Sequence, residues 1–286
     1  MKDRTLAILF LLPGVLISAI FILLPFLFAL KVSFYKMDSF ISPATFCGLK
    51  NYLELLEDPR FWLAFWNGII YAVFSVFFQV LLGIAFALLL NEKFIGRGFL
   101  RGASITPYIL PTVVVALVWQ WMLNEQIGIV NALLKYVGFS GISWFDNPGM
   151  AMVSVTFISI WAWAPFVTVC FLAALQGVPV ELYDAAKVDG SSSWRRFIDI
   201  TLPAIKPVLV VVAMLRGIWM FNKFDIIWIL TKGGPVQATE HLPILAYQKA
   251  FGLYDVGGGT AVATLSFLFL SVIIFIYFRI FSIDEA

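Results

Sequence analysis

The sequence predicts an all-α integral membrane protein with six transmembrane helices, and three observations carry that reading. Hydrophobic residues make up 62% and charged residues only 13% of the 286 positions, with a mean hydropathy of +0.96, which leaves too little polar surface to clothe a water-soluble globule. The apolar residues gather in stretches of about 20 or more, the length a helix needs to cross about 30 Å of hydrocarbon. The stretches are uniformly apolar instead of alternating, as suits helices that satisfy their own backbone in lipid and not the strands of a barrel.

Residues 6–30 form the first expected span; the run carries no charge and is too long for the apolar region of a cleaved signal peptide. Residues 67–90, 102–123, 149–175, 207–230 and 258–278 follow. Pro13, Pro25, Pro107, Pro111 and Pro165 fall within or near these runs, where they can kink a helix. The polar connections 31–60, 124–148 and 231–257 are too short to be independent soluble domains. With no low-complexity segment or internal repeat, one membrane domain over residues 1–286 is expected.

Basic residues in the connections set orientation. With the amino terminus in the cytoplasm, that side holds Lys2, Arg4, Lys93, Arg97, Arg101, Lys187, Arg195, Arg196, Lys206 and Arg279. The outside holds Lys31, Lys36, Lys50, Arg60, Lys135, Lys232 and Lys249, so both termini are expected inside. A net charge of +2 is too small and dispersed for nucleic-acid binding. Cys47 and Cys170 suggest neither a disulfide framework nor a metal site.

This topology places residues 176–206 in the cytoplasm, where all but the last residue of "ELYDAAKVDGSSSWRRFIDITLPAIKP" (181–207), the longest soluble-looking run in the chain, falls. Pro179 and Glu181 suit a helix start, and Gly190 suits a left-handed stop. Ser192 or Ser193 can cap a second helix carrying Trp194, Phe197, Ile198 and Thr201. Leu202 and Pro203 are expected to close that helix before the fifth span begins. Two readings compete: an amphipathic loop lying on the membrane surface, or a rigid docking element in which the small Ala185 and Ala186 let a partner approach closely.

Charged and amide groups inside a span mark functional candidates, because they are costly there. The fifth span contains Arg216, Asn222, Lys223 and Asp225 among Trp219, Phe221, Phe224 and Trp228. Arg216, Trp219, Met220 and Lys223 recur at helical spacing and share a face. Asp225 is offset, which leaves Lys223 to seek a carboxylate on a neighbouring helix. Aromatic faces against sugar C–H surfaces, with planar polar groups at the hydroxyls, make a glycoside site chemically sensible; interhelical pairs that fix the bundle are the structural alternative. Two cations on one face further suggest an anionic glycoside, sulfonated or phosphorylated. No Gly-Lys-Ser/Thr phosphate loop occurs. The lone histidine, His241, reads as solvated or packed, and no catalytic constellation is expected.

"DAAKVDG" followed by "ITLP" resembles the cytoplasmic EAA loop of permease subunits of binding-protein-dependent ABC importers, although Asp184 stands where that family's name implies glutamate and Ser191 where alanine is common. "LRGIWMFNKFDIIWILTKGGPVQATEHLPILAYQKAF" resembles the sugar-importing, maltose-type branch, and "PGVLISAIFILLPFLFALKVSF" and "GLKNY" extend the likeness through nearly the whole chain.

The resemblance implies a type I importer permease fold in a bacterial or archaeal inner membrane, without enzymatic activity of its own. The implied partners are a second permease subunit, two ATPase subunits that bind ATP and Mg, and an external solute-binding protein. It implies that Glu181, Asp184, Ala185, Ala186, Asp189 and Gly190 form the coupling helix. It also implies that Trp163 and Phe166 of the fourth span join Arg216, Trp219, Met220 and Lys223 at the membrane sugar site. An ion-coupled secondary transporter is the alternative, since it too would carry intramembrane Lys223 and Asp225.

Overall fold

A computed structural model describes residues 2–39, 41 and 43–281; the side chains of Lys2 and Arg4, counted above toward topology, lie outside the described residues. Among the described residues the regular structure is helical apart from a two-residue antiparallel pair. In order it forms α1 (Lys2–Ser18), α2 (Leu24–Val32), β1 (Tyr35–Lys36), β2 (Thr45–Phe46), α3 (Lys50–Glu57) and α4 (Pro59–Asn91). Then come α5 (Arg97–Ile109), α6 (Thr112–Met122), α7 (Ile129–Tyr136), α8 (Pro148–Gln176), α9 (Val180–Val188), α10 (Ser193–Arg196) and α11 (Leu202–Phe221). α12 (Asp225–Thr231), α13 (Leu242–Tyr247) and α14 (Val256–Ile280) complete the order. Among the described residues five helical stretches are long and apolar enough to cross a membrane, and the bent pair α5–α6 supplies a sixth when counted as one span.

Three departures from the expected spans are informative, and proline underlies two of them. The run expected as one helix over 102–123 is two helices meeting at 96°. Pro111 disfavours helical geometry at the residue before it, and Leu110 accordingly turns extended, with ψ 137°, ending α5 at Ile109. Pro203 has the opposite effect: it does not close the second hairpin helix. Residues 197–201 form a π-helical turn in which Leu202 N–H reaches back to the Phe197 carbonyl. The widened turn carries the helix past the proline ring, which would otherwise press on the carbonyl four residues back. Ser193–Phe221 is therefore one long apolar helical stretch. A second π-helical turn, Ala19–Leu23, precedes Pro25 in the same way. The third departure is the fifth span itself, expected over 207–230, where the helix stops at Phe221 and restarts at Asp225.

The chain divides into two compact units that each take part of α4 and of α14. One comprises the chain up to Leu63 together with Leu242–Phe269. There Asn51 is buried, and its amide donates to the carbonyls of Ser33 and Tyr35 at 2.9 and 3.0 Å, satisfying the backbone where α2 passes into β1. Arg60 also donates to the Gln248 side chain in this unit.

The other unit comprises Ala64–His241 and the chain from Leu270 on. Its apolar core joins Ala87 of α4, Val167, Phe171 and Leu175 of α8, and Ile205 and Val212 of α11. Gly83 lets α4 and α8 meet: a Cβ there would lie 2.6 Å from Val167 Cγ1 and 3.2 Å from the Thr168 backbone nitrogen. Gly83→Val should therefore lower stability by about 1–3 kcal/mol through overpacking, read as a lower thermal midpoint of the purified protein. An unchanged midpoint would contradict this helix contact.

Candidate functional site

The site grows from a buried cation. Arg216 lies in the last turns of α11 and is only 1% exposed. Its Nε donates to Gln79 Oε1 of α4 at 2.8 Å, and Nη2 approaches Met220 Sδ at 3.7 Å. Three rings surround the guanidinium carbon: Trp219 at 5.4 Å, Trp163 at 5.8 Å and Phe166 at 5.9 Å from their centroids. Among the described residues no carboxylate forms an ion pair with it, and the aromatic faces, one neutral carboxamide and a thioether are among its close partners.

Lys223 falls in the break after α11, where helical spacing no longer places it. Its Nζ nevertheless comes 4.0 Å from the centre of the Trp163 ring. The carboxylate expected on a neighbouring helix is instead Asp225, two residues along, at 3.0 Å. Asp225 opens α12, where a negative charge also meets the positive end of the helix dipole.

All six expected site residues thus gather on α8, α11 and the break, but they do not share one exposed face. Arg216 and Met220 are buried, Trp163, Phe166 and Lys223 are half-buried, and Trp219 is 43% exposed. A molecule reaching this surface would meet the rings of Trp219, Phe166 and Trp163 and the Lys223–Asp225 pair, with Arg216 beneath. The aromatic surface continues through Phe166, 5.5 Å from Trp219, to Tyr108 of α5 at 5.8 Å.

Several supporting residues escaped the sequence reading. Asn67, Tyr71, Ser75 and Gln79 recur every four residues along α4, and all four are buried. Asn67 donates to the carbonyls of Gln237 and Glu240, both at 2.9 Å. Tyr71 shares a 2.6 Å hydrogen bond with Ser159 of α8, and Gln79 holds Arg216. The signal was present as a polar stripe in an otherwise apolar span, at a spacing that keeps successive residues on neighbouring positions of one helix side. His241 is packed, with its Nε2 hydrogen-bonded to the Lys223 carbonyl and its ring edge-on to Tyr71 at 6.1 Å. It thereby partners a carbonyl at the helix break. Among the described residues no three histidine, cysteine or carboxylate groups come together in a way that could hold a metal ion.

The hairpin is a second assembled element. α9 ends in a Schellman arrangement: Ser191 N–H reaches the Ala186 carbonyl at 2.9 Å, Gly190 N–H reaches the Lys187 carbonyl at 3.0 Å, and Gly190 takes φ +73°. Ser192 caps α10 by accepting from Arg195 N–H. Glu181, Asp184, Ala185, Asp189 and Gly190 are exposed and Ala186 half-buried, while Val180, Leu182 and Val188 also present apolar surface outward. Asp184 pairs along the helix with Lys187 at 2.9 Å. Tyr183 and Thr201 hydroxyls meet at 3.0 Å, tying α9 to the π-helical turn at the foot of the site-bearing helix.

Residues 79–282 match the family described as binding-protein-dependent transport system inner membrane component. The chain is 36% identical over 279 residues to the trehalose/maltose transport system permease protein MalF of Thermococcus litoralis, covering 98% of this chain and 94% of that protein. It is 34% identical over 279 residues to the sulfoquinovosyl glycerol transport system permease protein SmoG of Agrobacterium fabrum, covering 97% and 91%. Its fold is that of a chain in a crystal structure of a bacterial ABC transporter involved in import of the acidic polysaccharide alginate, with TM-score 0.86, 22% identity, and coverage of 100% of this chain and 98% of that one.

Burial holds the His241 imidazole neutral, pushing its pKa down to about 4. An unfolded histidine takes up a proton near pH 6.5, so between pH 6.5 and 4 the unfolded state binds more protons than the folded one. The contribution is complete above pH 6.5 and is lost as pH falls toward 4, by about 3 kcal/mol across the window. Thermal midpoints measured from pH 7 to pH 4.5 should fall less steeply for His241→Gln than for the parent; equal slopes would refute this assignment.

Proposed function

The chain belongs to the family of binding-protein-dependent transport system inner membrane components, and from that premise we propose that it lines the translocation path of an ATP-driven importer of sugars or other glycosides. As a member it is a multi-pass permease subunit, a transport component and not an enzyme. The observation that carries the substrate reading is the surface made by Trp163, Phe166 and Trp219 beside the Lys223–Asp225 pair. Aromatic faces receive the C–H face of a pyranose, and an ammonium beside a carboxylate offers a donor and an acceptor for neighbouring hydroxyls. The named relatives transport trehalose/maltose and sulfoquinovosyl glycerol, which agrees with a glycoside class.

The exposed side of α9 docks an ATPase subunit. Its Schellman stop makes it a rigid end, and Leu182, Ala185 and Val188 provide the apolar contact. Two such ATPase subunits hold the ATP and Mg, since this chain carries no phosphate-binding loop. A second permease chain completes the path, and an external solute-binding protein delivers the glycoside. The bias of basic residues among the connections supports a topology with both termini and α9 on the cytoplasmic side of a bacterial or archaeal inner membrane.

The mechanism follows from the linkage of α9 to the site. Closure of the ATPases on ATP displaces α9; the Tyr183–Thr201 contact carries the displacement into the helical stretch Ser193–Phe221, at whose other end the platform lies. The site then opens outward, receives the glycoside and returns inward after hydrolysis. ATP drives this exchange only through its different affinity for the two states, so weakening the α9 contact uncouples hydrolysis from transport.

Two measurements on the reconstituted complex test these assignments. Trp219→Ala should raise the substrate concentration for half-maximal transport about tenfold or more, while ATPase subunits still copurify. An unchanged value would remove the platform from the path. Gly190→Pro, which forbids φ +73°, should abolish substrate-stimulated ATPase and transport while membrane insertion persists. Normal transport would overturn the coupling role.

A further inference from the structure

The charges at the platform do not cancel. Lys223 and Asp225 neutralise each other at 3.0 Å, whereas Arg216 lies 1% exposed with no carboxylate partner among the described residues. Its Nε is engaged by Gln79, itself fully buried, and three rings and a thioether also lie close to it. Burying an unpaired cation is costly, and a carboxylate in place of the Gln79 amide would relieve that cost within the same shape. The side chain present is instead the neutral isostere of glutamate. The fold therefore retains one positive charge directly beneath a surface otherwise suited to a sugar face.

We propose that Gln79 and Arg216 set the charge preference of the site, and that the transported glycoside carries one anionic group, a carboxylate, sulfonate or phosphate ester. The inference rests on the glycoside reading above and narrows it. Gln79 is the positioning residue: it holds the guanidinium under the rings of Trp163, Phe166 and Trp219 without neutralising it. The ligand's anionic group lies over the platform, and the Lys223–Asp225 pair serves its hydroxyls. The preference is electrostatic and acts across a ring. For a unit charge about 9 Å from the guanidinium, at an effective dielectric near 20, it amounts to about twentyfold in affinity.

The test uses the assembled transporter in lipid nanodiscs without the solute-binding protein, so that only the membrane site selects. Equilibrium binding is measured for matched glycoside pairs that differ only at one position, a hydroxymethyl against a carboxylate, sulfonate or phosphate. The anionic member should bind about twentyfold more tightly. In Gln79→Glu that ratio should fall to near one, whereas Gln79→Met, which keeps the charge and loses the hydrogen bond, should retain most of it. Parental ratios near one, or a ratio unmoved by Gln79→Glu, would overturn the proposal, as would equal loss in both variants, since that would make the role one of packing. Neutral and anionic glycosides binding equally sinks the charge preference alone; failure of every glycoside to bind sinks the glycoside reading and this inference with it.

Discussion

The buried guanidinium of Arg216 is the interaction on which the rest of this architecture turns. A charge placed among apolar spans must gather partners or be expelled, and each partner here comes with a helix attached. Gln79 brings α4, Trp163 and Phe166 bring α8, and Trp219 and Met220 belong to α11. The same helices share an apolar core of Ala87, Val167, Phe171, Ile205 and Val212. Dispersion and close packing hold that core together, while the buried cation draws polar and aromatic partners from three helices to one point. Hydrogen bonds between helices add to this, as at Tyr71 and Ser159, where two hydroxyls meet at 2.6 Å with no water required.

Proline chemistry decides how the site is connected. At Pro111 the chain breaks and turns by 96°. At Pro203 a π-helical turn absorbs the ring and the helix continues from Ser193 to Phe221. The consequence is mechanical: the foot of the helix that holds Arg216 and Trp219 is the second arm of the capped hairpin. Tyr183 bonds to Thr201 inside that foot, so a push on α9 meets a stiff rod and not a loop. The other end of the rod is deliberately interrupted. Phe221 ends the helix, Asp225 starts the next, and the freed backbone at Lys223 is met by His241. A break leaves backbone groups without helical partners, and where they are buried they must be answered from within the protein.

Much of this was legible in the order of residues. Runs such as 149–175 announce a span by length and apolarity alone, and α8 occupies Pro148–Gln176. The hairpin was readable because capping is local chemistry: Gly190 and Ser192 act on backbone groups within a few residues of themselves. The run that carries the candidate site residues also stood out, since Arg216, Lys223 and Asp225 are anomalies in an apolar segment. What stayed hidden involved distance along the chain. Gln79 lies 137 residues from Arg216, and no local pattern pairs them. The four-residue polar stripe of α4 marks a side of the helix without saying what meets it. Helical spacing also misled at Lys223, because it assumed a continuous helix where the chain breaks.

The sequence by itself determined that this chain belongs in a membrane, roughly where its apolar helices fall, where the first hairpin helix starts and stops, and which apolar run holds its costly charges. Each of those follows from solvation or from backbone chemistry confined to a few neighbouring residues. Only the tertiary structure decided that Arg216 lies under the aromatic surface instead of on it, that Lys223 is neutralised by Asp225, and that the hairpin and the platform share one helical rod. Those outcomes depend on which side chains from distant helices compete for the same buried charge and on whether a proline is absorbed or breaks the helix. Packing settles both, and spacing along the chain does not encode packing.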